Sequence, residues 1–200
     1  MAKSIRNLLR PPGLSKRRFL LSLYATELIL VLLSLLAARL FYDNYLPYEF
    51  NFAPGSIVLG LAAAIPIGLV VYLMSYGPLS RLGWIKRAMS NIVDRMYTPF
   101  GQSIQSLSVF DIVLLSCAAG IGEELFFRGL IQSFAGVWWT AIIFGLLHAL
   151  TPAYFLIATT IGAWFGLLYQ FSDNLLVPIL GHAAYDVFAL LLLRSQFAQR

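Results

Sequence analysis

The chain has 200 residues, of which 60% are hydrophobic and only 12% are charged. Charged residues make up about a quarter of an ordinary soluble domain. This composition therefore excludes a soluble domain and predicts several membrane spans. The length allows about six spans of roughly 20 residues and leaves no room for a separate soluble domain. The net charge of +5 does not indicate nucleic acid, because the basic residues lie beside apolar segments. The single cysteine, Cys117, excludes an internal disulfide.

The chain begins with a basic segment, residues 1–18, that contains no acidic residue and is interrupted by Pro11-Pro12-Gly13. We expect this segment to be a cytoplasmic leader and residues 19–200 to form a single transmembrane helical domain. The first span is predicted at Phe19–Phe41 and the second at Ser56–Met74.

Residues 79–105 differ from the rest of the chain, because apolar residues recur there at steps of three and four among basic ones. The apolar positions are Leu82, Ile85, Met89, Ile92 and Met96. This pattern predicts an amphipathic helix on the cytoplasmic leaflet; a soluble linker helix is the alternative. Glu27, which lies inside the first span, is assigned a structural role in the bundle.

Four more spans follow, at about Val109–Ile131, Val137–Leu150, Ala153–Gln170 and Leu175–Leu193. The predicted fold is therefore all-α, a polytopic bundle of about six transmembrane helices plus one amphipathic interfacial helix. The predicted outer loops contain Asp43, Glu49 and Asp173 but no lysine or arginine, whereas the basic residues gather in the leader, the amphipathic segment and the tail. This distribution predicts that both termini are cytoplasmic.

The third span contains Glu123, Glu124 and Arg128, although each ionisable group at membrane depth costs a few kcal/mol. Glu124 and Arg128 are four residues apart, so they lie on one helical face and can form an ion pair. Glu123 points about 100° away from its neighbour. One carboxylate can thus be neutralised while the other stays free to act as a general base.

The only two histidines, His148 and His182, also lie in apolar spans. If the third and fourth spans form a hairpin near Ala135–Gly136, Glu123 and His148 lie at the same depth, roughly 18 Å from the turn. His182 and Asp186 are one turn apart on the sixth span. These groups are predicted to converge on one buried site, where a carboxylate and a histidine activate water and a second histidine stabilises an oxyanion.

Three motifs occur in order, in separate spans: Glu123-Glu124-Leu-Phe-Phe-Arg128, Phe144-Gly-Leu-Leu-His148 and His182-Ala-Ala-Tyr-Asp186. In these the chain resembles the CPBP family of intramembrane proteases, which includes CAAX prenyl proteases and the Abi or bacteriocin-processing bacterial proteins. The resemblance implies an intramembrane endopeptidase with a protease core at about 107–193.

The roles that the resemblance implies fall into three groups. Glu123 and His148 activate the attacking water, His182 and Asp186 stabilise the oxyanion, and Glu124 and Arg128 orient and neutralise the site. Apart from these roles, Phe144 is expected to pack beside the site. Asp186 stands where the prenyl-processing members carry Asn, and the Abi-like branch often has Asp at this position.

Three alternatives compete with this interpretation, the first of which is a zinc-dependent version of the same protease. Glu123, His148 and His182 are also the ligand types of a catalytic zinc site with an open position for water, whereas the resemblance implies a metal-free mechanism without a cofactor. A non-catalytic membrane partner, such as an immunity or chaperone-like protein, is the second alternative. A proton-coupled transporter is the third, and the lack of inverted repeats disfavours it.

The expected partners are membrane lipids and a membrane-tethered peptide or protein substrate. A prenylated CAAX protein and a bacteriocin or leader peptide are the two substrate classes that the resemblance implies. No nucleic-acid partner is expected, and the expected location is the bacterial plasma membrane.

Overall fold

The structure, a computed structural model, describes residues 14–41 and 49–199. All secondary structure in this part of the chain is helical, which confirms the predicted all-α class. The helices are α1 (Lys16–Phe41), α2 (Pro54–Ser75), α3 (Gly83–Gln105), α4 (Val109–Glu124), α5 (Gln132–Leu147), α6 (Pro152–Ser172) and α7 (Leu176–Ala198). Most of the predicted leader (residues 1–13), loop residues 42–48 and the terminal Arg200 lie outside the described residues.

Five described segments are long and apolar enough to cross a membrane: Lys16–Phe41, Pro54–Arg81, Val109–Leu147, Pro152–Ser172 and Leu176–Ala198. Their apolar side chains face outward, and only 17% of the most apolar window is buried in each of the first two segments. A surface of exposed leucine, isoleucine and valine is what lipid requires and water disfavours. The protein is therefore a multi-pass membrane protein.

The segment Val109–Leu147 is folded into two arms at Gly136, whose φ of 72° and ψ of 173° are not helical. Only glycine adopts this backbone conformation readily. The rings of Phe127 and Phe144, one on each side of the reversal, lie 5.0 Å apart. The hairpin thus forms where it was predicted.

The second arm of the hairpin is shorter than the predicted fourth span, because it ends at Leu147 rather than Leu150. From the reversal to that end it rises roughly 16 Å. The next helix begins at Pro152, with the Thr151 hydroxyl accepting from the backbone N–H of Tyr154 and with Pro152 in the first turn. Residues 148–151 therefore form the connection between the two helices.

The amphipathic segment forms α3, preceded by a 3₁₀ turn at Pro78–Arg81. Ile85 and Ile92 are buried, and α3 packs against α7, α1 and α2. Trp84 is 65% exposed. Leu82, which was predicted on the apolar face of this helix, is exposed and precedes the first helical residue.

Helix α7 lies at the centre of the bundle, in contact with α2, α3, α4 and α6. Its backbone runs close to α4, since a Cβ on Gly120 would lie 2.8 Å from the carbonyl oxygen of Ile179. Small residues permit such close helix packing in membranes. Helix α1 contacts α4 as well, so the Glu-Glu turn of α4 is flanked by α1 and α7.

Candidate active site

The site includes a fully buried ion pair. The Arg128 Nη1 donates to Glu124 Oε1 at 2.8 Å, and both side chains are 0% exposed. Arg128 lies in a π-helical turn, Leu125–Ile131, of the kind that is frequent at functional sites. Its Nη2 also donates to the carbonyl oxygen of Gly162 at 2.8 Å. The guanidinium therefore links the first arm of the hairpin to α6.

His182 is bound to the same carboxylate, with its Nδ1 2.7 Å from Glu124 Oε1. The Phe165 ring stacks on the imidazole at 5.2 Å between centroids and an interplanar angle of 13°. The Nε2 of His182 lies 3.6 Å from Asp186 Oδ2. The histidine is thus held by a hydrogen bond on one nitrogen and presents the other to a carboxylate.

His148 and Glu123 face each other across the hairpin. The Nδ1 of His148 lies 2.8 Å from the carbonyl oxygen of Phe144. The Phe144 ring stacks on the His148 imidazole, with 4.3 Å between the ring centroids. The His148 Nε2 lies 3.9 Å from Glu123 Oε2, and the His182 Nε2 lies at the same distance from that oxygen. The structure therefore brings together all the residues predicted for the site.

These groups line a cavity of about 530 Å³, a volume typical of ligand sites. Glu123, His148, His182 and Asp186 form part of its wall, and much of the remaining wall is apolar. Helices α1 and α3 contribute apolar side chains such as Leu23 and Ile92 to this wall. The predicted site is thus a polar region within a largely apolar cavity.

Glu27 on α1 lines the same cavity, although the sequence suggested only a structural role. It is buried, and its Oε2 has no hydrogen-bond partner among the described residues. A Cβ on Gly122 would lie 2.5 Å from that oxygen, so the glycine makes room for the carboxyl group. A lone acidic residue inside an apolar span was the signal that could have placed Glu27 at the cavity.

The residues at the alternative zinc site are of the kinds that bind zinc, but they are not arranged as zinc ligands. Two imidazole nitrogens and a carboxylate oxygen, from His148, His182 and Glu123, are usual ligands of catalytic zinc. Among the residues that the structure describes, no three histidine, cysteine or acidic side chains are grouped so that they could hold an ion. We therefore derive no step through a metal.

Residues 105–188 match the model of a protein family described as type II CAAX prenyl endopeptidase Rce1-like. Over these residues, which are less than half of the chain, the sequence is similar to that family. The matched segment contains the three motifs on which the resemblance rested, and it ends two residues after Asp186.

The chain is also similar to the uncharacterized protein YpbD of Bacillus subtilis (strain 168). The two are 35% identical over 86 residues, which are 41% of this chain and 46% of the relative. The chain thus spans less than half the length of this relative. No solved structure matches the chain.

Proposed function

We propose that this protein is an intramembrane endopeptidase that hydrolyses peptide bonds of membrane-tethered substrates. The observation that carries the proposal is the convergence of Glu123, His148 and His182 on one side of a largely apolar cavity. The Rce1-like match supports it, because the matched residues include every member of this group.

Glu123 and His148 are proposed to activate the attacking water. Their 3.9 Å separation is too long for a direct hydrogen bond and suits one water bonded to both. The Phe144 carbonyl can only accept, so Nδ1 of His148 carries the hydrogen and Nε2 of the neutral ring is left as a base. As the water oxygen bonds to the carbonyl carbon, its proton passes to this pair, which later protonates the departing amine.

The buried pair of Glu124 and Arg128 is proposed to orient His182. Glu124 Oε1 accepts hydrogen bonds from both partners, so the arginine holds the carboxylate and the carboxylate holds the imidazole. The Asp186 carboxylate lies 3.6 Å from the other ring nitrogen of His182, and its charge is proposed to keep that ring beside the reacting carbonyl group. This role needs no hydrogen on Asp186, which accounts for the acid in place of an amide.

The substrates that we propose are peptides held at the membrane, either prenylated CAAX proteins or bacteriocin and leader peptides. An apolar cavity wall next to polar groups supports substrates with an apolar part, and a cavity that excludes bulk water strengthens the electrostatic interactions within it. The bacterial plasma membrane, with both chain termini in the cytoplasm, is the proposed location.

The proposal is tested by comparing the peptides of host membranes that carry wild type or Glu123→Gln. The exchange removes the base and keeps the size of the side chain, and Glu49→Gln, outside the cavity, is the matched control. We expect a set of fragments that wild type and Glu49→Gln produce and Glu123→Gln does not. Identical fragment sets from folded and equally abundant proteins would favour the non-catalytic membrane partner.

Metal dependence is tested separately by measuring the zinc content of purified wild type and His148→Ala. The proposed mechanism predicts no stoichiometric zinc in either protein, and proteolysis by the wild type that persists after dialysis against a chelator. Zinc bound at one equivalent in wild type and lost in His148→Ala would replace the metal-free mechanism.

A further inference from the structure

The polar groups at the reacting end of the cavity are rich in hydrogen-bond acceptors and poor in donors. The carboxylates of Glu123 and Asp186 only accept when ionised. His148 uses its Nδ1–H on the Phe144 carbonyl, so Nε2 of the neutral ring is also an acceptor. Peptide hydrolysis nevertheless needs a donor aimed at the carbonyl oxygen, on which negative charge develops.

His182 does not meet this need by itself. Its Nδ1 donates to Glu124, so its Nε2 carries a hydrogen only when the ring is doubly protonated. The acceptors nearest to that nitrogen are carboxylate oxygens, at 3.6 Å on Asp186 and 3.9 Å on Glu123. Neither distance is a hydrogen bond, but the two carboxylates compete electrostatically with a substrate oxygen for a hydrogen on Nε2.

Other donors are too far away or do not line the cavity. Arg128 has a buried Nε without a partner among the described residues, but it is not part of the cavity wall. Gln196 lines the opposite end, roughly 15 Å beyond Asp186 along α7. Ser75 lies at that same end, because its neighbour Tyr76 is hydrogen-bonded to the residue before Gln196.

Two phenol hydroxyls remain, those of Tyr154 on α6 and Tyr185 on α7, and both residues line the cavity. Neither hydroxyl has a hydrogen bond to any residue that the structure describes. The Tyr154 phenol interacts electrostatically with Asp186 and Glu123, whereas the Tyr185 phenol interacts with Tyr154 and Asp186. Of the two hydroxyls, that of Tyr154 therefore interacts with the proposed general base, Glu123, as well as with Asp186.

The backbone of Tyr154 is also held in place. It lies in the first turn of α6, where its N–H donates to the Thr151 hydroxyl at 3.0 Å and Pro152 fixes the start of the helix. A donor that is positioned before the reaction costs no reorganisation during it, which is the requirement for stabilising an oxyanion.

On the basis of the proposed endopeptidase function, we propose that the Tyr154 hydroxyl donates a hydrogen bond to the substrate carbonyl oxygen and to the oxyanion formed from it. The water oxygen bonds to the carbonyl carbon, the π electrons move to the carbonyl oxygen, and the water proton goes to Glu123 and His148. When the oxyanion collapses, the carbon–nitrogen bond breaks and the amine takes up that proton. Tyr154 keeps its own proton throughout.

The test uses the full chain in proteoliposomes and a fluorogenic peptide built on the cleavage site found in the membrane comparison. Tyr154→Phe removes only the hydroxyl, and we expect kcat to fall by about 100-fold or more with KM changed by less than about threefold, as for loss of an oxyanion donor. Tyr72→Phe, on the exposed side of α2, is the matched control and should keep the wild-type rate.

The outcomes separate this inference from the proposed function. Cleavage by wild type that is lost in Glu123→Gln but unchanged in Tyr154→Phe would overturn the role of Tyr154 alone. A large loss in Tyr185→Phe with none in Tyr154→Phe would assign the donor to the other tyrosine. A rise in KM without a change in kcat would reduce Tyr154 to ground-state binding. Absence of wild-type cleavage would overturn both proposals.

Discussion

Replacing Arg128 with methionine tests whether the buried ion pair holds the site together. The substitution keeps an unbranched side chain but removes the donors to Glu124 and to the Gly162 carbonyl, each at 2.8 Å. The Glu124 carboxylate is then left without its cation at 0% exposure. Breaking a buried pair in this way costs about 3–5 kcal/mol. The hydrogen bond from His182 remains, so we expect a loss of about 3 kcal/mol.

A double-mutant cycle measures how much of this loss comes from the uncompensated charge. Glu124→Gln removes the charge but keeps an oxygen that can accept from His182. We expect the double variant with Arg128→Met to recover at least about 1 kcal/mol relative to Arg128→Met alone, since directly contacting residues couple by this order. The assay is unfolding in mixed micelles of mild detergent and dodecyl sulfate, followed by circular dichroism.

The control for this cycle is Lys16→Met, which breaks an ion pair with Asp111 at a more exposed position. The Lys16 side chain is 40% exposed, so we expect a much smaller loss than in Arg128→Met. The reasoning is refuted if Arg128→Met is no less stable than Lys16→Met, or if the two substitutions of the cycle are additive.

Three further substitutions, with Gly55→Ala as a control, test the packing of the bundle in the same unfolding assay. Gly122→Ala places a Cβ 2.5 Å from the Glu27 carboxylate and 3.0 Å from its carbonyl oxygen, so we expect a loss of about 1–3 kcal/mol. Gly55→Ala, with no atom within 4 Å, should be neutral or slightly stabilising. Gly136→Ala forces alanine to a φ of 72° and should cost about 1–3 kcal/mol and reduce cleavage. Asn174→Ala removes side-chain hydrogen bonds to the backbone of another loop and should cost about 2 kcal/mol; an unchanged midpoint would contradict any of these losses.

The sequence alone predicted the fold class, the hairpin and the residues that would meet in the site. Long apolar runs predict helices in lipid, because every backbone group must find its hydrogen bond within the chain. Helical spacing then placed Glu124 and Arg128 on one face, and equal distances from Gly136 placed Glu123 and His148 at one depth. These inferences depend only on local geometry, so the tertiary structure did not alter them.

Only the tertiary structure decided which groups from distant helices share the cavity. Glu27 and Tyr154 belong to none of the three motifs. Their positions at the cavity depend on how α1 and α6 pack against the hairpin and α7. The bond between His182 and Glu124 likewise joins residues on two helices whose backbones approach at Gly120. Sequence spacing fixes the face of a helix on which a residue lies. The rotation and separation of neighbouring helices come from packing that no single segment specifies.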